Sequence, residues 1–181
     1  MPAGRQLRTC WAAELDYFSF LETTAEISIA IAGFVSVFLV LARRDGSFPP
    51  EHALTIRSNL MTSIGCLFFA AIPLILAGLG VAGETLWRLS SAAFLLAHSG
   101  ISLYMGVNRR RLPTAVQGTI FARIAWSLAV LTILGLAFNV AGWPASPNGG
   151  VYLLTVWFTL GIASVNFLDL VFRGVLRASD T

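Results

Sequence analysis

From Ile124 to Leu168 the chain runs 45 positions without a charged residue. One crossing of a hydrocarbon core about 30 Å thick takes about 20 residues, so the run is long enough for two. Trp143-Pro-Ala-Ser-Pro-Asn-Gly-Gly150 interrupts it. Two prolines and a Gly-Gly pair mark a turn, and the run divides into spans over residues 120–142 and 151–172. Two further uncharged stretches, Asn59–Gly83 and Leu89–Asn108, predict spans over 59–83 and 87–108.

Composition decides between a bilayer and a soluble core. Charged residues make up 12% of the 181, hydrophobic residues 56%, and the mean hydropathy is +0.77. A soluble domain carries about 25% charge, and half that amount leaves large apolar patches facing water. A soluble enzyme, a disordered chain and a nucleic-acid binder are thereby excluded. The expected fold is all-α: a polytopic transmembrane helix bundle with short loops and no soluble domain.

A fifth apolar run, Ile27–Ala42, has 16 residues, about 24 Å at roughly 1.5 Å per residue. To cross, it extends back to about residue 23 and carries Glu26 with it. A cleaved signal peptide would have a basic flank before its apolar core. Here the preceding flank is acidic and Arg43-Arg44 follows, so a span over 23–42 is expected, with a four-span chain as the alternative. Residues 1–22 place Leu7, Trp11, Leu15 and Phe18 at helical spacing. They form either an amphipathic helix on the outer surface or an extension of the first span.

All twelve basic residues are Arg, the bias of a GC-rich genome, from which a bacterial inner membrane is expected. With five spans, nine Arg fall on one side and three on the other. Basic loops stay in the cytosol, so the amino terminus is expected outside and the carboxyl terminus inside. Arg43, Arg44, Arg109, Arg110 and Arg111 are expected against anionic headgroups of the inner leaflet. Aromatic residues near the outer ends (Trp11, Tyr17, Trp87, Trp143, Tyr152) and inner ends (Tyr104, Trp126) fit interfacial belts, with Trp157 deeper and packed. The hairpins of spans two and three and of spans four and five both carry Val-Ala-Gly at their turns (Val81–Gly83, Val140–Gly142), a weak signal of parallel repeats.

Ionisable groups inside a span are costly and mark candidate sites. His98 lies mid-span and can line a proton or solute path; the plainer reading has it bonded to Ser99, Thr132 or Thr159. Asp169 shares a face with Asn166 and Arg173, three and four residues away. Arg57, with Asn59 after it, and Arg123 enter from the same side, making a cluster at the inner mouth geometrically possible. Glu26 reads as an outer-mouth site or as the acid of a Thr23-Thr-Ala-Glu26 capping box.

No catalytic, cofactor or metal site is expected. His52 and His98 cannot together hold a haem between spans, and Cys10 and Cys66 lie in different environments. Gly78-Leu-Gly-Val-Ala-Gly83 has the spacing of a dinucleotide fingerprint but follows a run too long for a strand. Ser28, Ala32 and Ser36 form a small-residue face for close helix packing. The first expectation is therefore an accessory or self-associating membrane subunit, partnered by lipids and by another copy or a membrane protein, without enzymatic activity. The alternative is a small oligomeric transporter or channel using His98 and the cluster around Asp169.

Reporter fusions test the threading. A reporter active only outside the cytosol should work at the amino terminus and fail at the carboxyl terminus. Both termini in one compartment would overturn five spans.

Overall fold

Five helices follow from these runs, with the ends set by glycine, proline and charge. The computed structural model describes residues 3–43, 50–110 and 120–179, with side chains for 16–37, 39–40, 54–110 and 120–172. The elements are α1 (Ala3–Arg43), α2 (Pro50–Gly78), α3 (Gly83–Arg109), α4 (Ile120–Ala141) and α5 (Gly149–Ser179). All five are long and apolar enough to cross a membrane, over Asp16–Val37, Leu54–Gly78, Gly83–Arg109, Ile120–Ala141 and Gly149–Phe172. The protein is a multi-pass helical membrane protein, with no strand among the described residues.

No Pro or Gly breaks residues 5–32, and α1 runs unbroken from Ala3. Residues 3–22 therefore extend the span rather than form a separate surface helix. Thr23 is not a helix cap, since its hydroxyl donates to the Ser19 carbonyl one turn back (3.1 Å). Glu26 is exposed on α1 within an apolar stretch of that helix.

The α2–α3 turn shows why Gly78–Gly83 is rich in glycine. Val81 N–H donates to Leu76 O (3.0 Å) and Gly80 N–H to Ala77 O (2.9 Å). This is a Schellman closure, which needs a left-handed residue at Gly80, and Gly80 has φ of 84°. The motif ends a helix and cradles no phosphate.

Helices α2 and α5 are central. α2 packs against α1, α3 and α5, and α5 packs against α1, α2 and α4, while α3 and α4 close the other side. Polar contacts join α2 to α5 along their length. Asn166 Nδ2 donates to Ser58 Oγ (3.1 Å), Asn59 Nδ2 to the Ala163 carbonyl (2.8 Å), Cys66 Sγ to the Val156 carbonyl (3.8 Å), and Tyr152 O–H to the Phe69 carbonyl. As numbers rise on α2 they fall on α5, an antiparallel ladder. Ser28 of the small-residue face is buried and Ser36 exposed, so that face packs partly within the chain.

The α4–α5 contact depends on Gly135. A Cβ there would meet Thr155 Cγ2 at 2.7 Å, and Thr155 is buried with its hydroxyl tied to Tyr152 O (2.6 Å). Gly135→Ala should destabilise the bundle by about 1–3 kcal/mol, the usual cost of overpacking. Thermal unfolding in detergent measures this; an unchanged midpoint would show that α4 and α5 part freely.

Candidate functional site

The inward face of α3 changes character along its length. Trp87, Ser91, Phe94 and His98 are buried at helical spacing, and the same face continues through Ser102, Met105 and Arg109. From Trp87 to Phe94 it packs into an aromatic cluster. Phe94 stacks on Phe69 (3.9 Å between centroids) and meets Tyr152 edge-on (5.8 Å), Trp87 packs on Tyr152 (5.8 Å), and Tyr17 on Trp87 (5.7 Å). Trp87 and Tyr152 are thus core residues rather than belt residues, whereas Trp143 is exposed. Trp157, expected to pack, is half exposed and stacked on Phe20.

Beyond His98 the cluster ends and a cavity of about 100 Å³ begins. α2 contributes Thr55, Ser58 and Thr62; α3 His98, Ser102 and Arg109; α5 Asn166 and Asp169; and α4 an apolar wall. That wall carries Ala122, Ala125 and Ala129 at intervals of three and four residues, and their small side chains leave the space. The lining comes from the start of α2, the end of α3, the start of α4 and the end of α5. These are the ends that carry Arg57, Arg109, Arg110 and Arg123.

His98 forms the blind end. It is 4% exposed, and its Nε2 has no hydrogen-bond partner among the described residues. Its ring stands edge-on to Phe94 (5.8 Å) and Phe69 (6.5 Å). The hydroxyls expected to serve it are turned onto their own helices: Thr132 donates to Leu128 O (2.9 Å) and Thr159 to Thr155 O (3.0 Å). Leaving a buried donor or acceptor unmatched costs about 1–3 kcal/mol; His98 lines the cavity, but this nitrogen is closed off from it.

Of the path residues expected from sequence, His98, Asn166 and Asp169 come together at the cavity, and Arg57, Arg123 and Glu26 do not line it. Asp169 is buried in the cavity wall, and neither it nor Arg109 is without a partner. The Arg173 side chain lies outside the described residues. Arg57 is exposed and sits over the Tyr104 ring (5.3 Å). Arg123 is exposed, as is Glu26 on α1, and neither lines the cavity. Asn59 belongs to the α2–α5 ladder. Arg109, expected at lipid headgroups, lines the cavity, while Arg110 is exposed. The Arg43 side chain, Arg44 and Arg111 lie outside the described residues. Asn139 serves the opposite end: its Nδ2 donates to Ser91 Oγ (2.8 Å) and to the Asn148 carbonyl (3.2 Å), and its Oδ1 accepts from Asn148 N–H (3.0 Å).

The polar wall on α2 was not anticipated, although Thr55, Ser58 and Thr62 recur at intervals of three and four residues, and Arg109 follows His98 at eleven. Among the described residues no group of three His, Cys, Asp or Glu is placed to hold a metal ion. Neither a family model, nor a curated protein, nor a solved structure matches the chain, so its chemistry is read from these side chains alone.

Asn166 and Ser58 bond where the ladder meets the cavity. A double-mutant cycle of Asn166→Leu and Ser58→Ala should give a coupling near 0.6 kcal/mol, the average for such bonds between membrane helices. Zero coupling in unfolding would remove the bond from the account of the wall.

Proposed function

We propose that this is a solute-handling membrane protein, a small transporter whose site faces the cytosol, rather than an accessory subunit. The observation that carries the reading is the convergence of polar side chains from α2, α3 and α5 on one cavity ending at a buried imidazole without a partner. A subunit that only docks or scaffolds needs no such cavity. The aromatic cluster beyond His98 supports a one-sided state, closed outward and open toward the Arg-rich end. In this reading the bundle sits in a bacterial inner membrane with its amino terminus out and carboxyl terminus in. Arg43, Arg44, Arg110 and Arg111 face anionic headgroups, and self-association supplies further wall where one chain is too small to seal a path. The protein catalyses no covalent chemistry.

A second reading, a subunit docking through α1, is favoured by Glu26. A carboxyl exposed within an apolar window is expensive against lipid and less so against a partner protein.

One experiment separates the two. In a chain lacking its native cysteines, Ser102→Cys should react with a membrane-impermeant maleimide in inside-out vesicles and not in right-side-out vesicles. Ser91→Cys, behind the aromatic cluster, should stay unmodified in both. A Ser102→Cys thiol sealed from both sides would end the transporter reading and leave the docking one.

A further inference from the structure

We propose that the cavity binds a small organic anion, a monocarboxylate of roughly four or five heavy atoms, a size set by comparison with a 150 Å³ protein cavity that takes benzene. This rests on the solute-handling reading above and adds the chemistry of the solute.

Size comes first. At about 100 Å³ the cavity is smaller than the one of about 150 Å³ that takes benzene, a size that suits acetate or propionate.

The unspent hydrogen-bonding capacity is rich in donors. Ser58 Oγ already accepts from Asn166 Nδ2, and its own proton makes no other bond among the described residues. Ser102 lines the cavity with none. A neutral imidazole carries one N–H, and His98, which lines the cavity, makes no hydrogen bond among the described residues. Thr62 is spent, donating to the Ser58 carbonyl (2.8 Å). A carboxylate only accepts, with two oxygens for several donors, and answers this set.

Charge points the same way. The wall holds one acid, Asp169, and one base, Arg109, so it is neutral on balance. Arg57, Arg110 and Arg123, all exposed, adjoin lining residues in sequence. Arg57 and Arg123 face away from the cavity, yet with Arg110 they make this end of the bundle positive, and a positive end over a low-dielectric recess concentrates anions. The remaining wall, with Ala122, Ala125, Trp126 and Ala129 on α4, is largely apolar. It suits the methyl or ethyl end of a carboxylate better than a fully polar ion such as nitrate.

The test uses the full-length Ser102→Cys chain, without native cysteines, in inside-out vesicles. The thiol is modified by sulfonatoethyl or by trimethylammonioethyl methanethiosulfonate, each rate divided by that of free cysteine. The sulfonate reagent should be favoured by at least about fivefold at low salt, with the preference falling as salt screens the rim. Propionate should slow the reaction, while methylammonium and urea at equal ionic strength should not. His98→Leu should abolish the protection by propionate and leave the reagent preference intact.

Protection by methylammonium or urea, or a preference for the ammonium reagent, would overturn the anion and leave the solute-handling reading standing. Reaction with both reagents and protection by none of the three solutes would mean a site for water only, which also overturns it. No reaction with either reagent would remove the cavity from water and both proposals with it. Should Ser102→Cys fail to assemble, Thr62→Cys on the α2 wall repeats the measurement.

Discussion

Everything in this bundle depends on how α2 and α5 are held together in a solvent that does not drive helices to associate. Lipid tails are as apolar as Leu and Val, so helix pairing rests on close packing and on polar bonds between helices. Here four polar contacts span the α2–α5 interface, from Asn166–Ser58 at the Arg-rich end to Tyr152–Phe69 at the other. Each is worth about 0.6 kcal/mol on average, too little to hold the pair alone. Their spacing does more than their strength. A one-residue slip of either helix would break all four at once and leave buried donors unmatched, so the ladder sets register. With register set, Asn166 and Asp169 on α5 and Thr55, Ser58 and Thr62 on α2 fall at one depth.

α3 and α4 then decide which part of the interior is filled. Toward the turn between α4 and α5, large rings from α1, α2, α3 and α5 occupy the space, and Asn139 ties that turn to Ser91 on α3. Toward the Arg-rich end α4 presents Ala122, Ala125 and Ala129, beside Trp126, to the hydroxyl and amide groups of the other helices. Close packing in protein interiors leaves few voids larger than a water molecule, so three alanines facing one polar wall open a space that nothing in the chain fills. His98 sits where one regime passes into the other, with phenylalanine edges on one side and hydroxyls on the other.

The spans and their number were legible because a bilayer imposes a length and charge criterion that a single sequence can be read against. The extent of α1 beyond its span was not legible, because a span is read from apolar length, whereas a helix stops at backbone signals, and residues 5–32 contain neither Pro nor Gly. Of the candidate site, His98, Asn166 and Asp169 were legible as polar groups at depth. Arg57 and Arg123 were grouped with them because sequence reports depth and not azimuth: both lie at the right level, on faces that point away. Arg109 was passed over for the converse reason, since an Arg in a triplet reads as a headgroup contact until its face is known. Asn139, polar and buried on α4, closes a turn with its three bonds.

Magnitudes separate structure from function at His98. A core imidazole kept for packing would find a partner for its nitrogens, and hydroxyls on α4 and α5 were expected to serve. Thr132 and Thr159 instead cap carbonyls of their own helices, bonds that a membrane helix does not need, since its backbone is satisfied internally. The unmatched Nε2 costs about 1–3 kcal/mol, more than any single rung of the ladder returns. A leucine at this position would fill similar space beside Phe94 at none of that cost. The imidazole therefore marks the place where the filled interior gives way to the cavity it lines, while its Nε2 atom is itself closed off from that space.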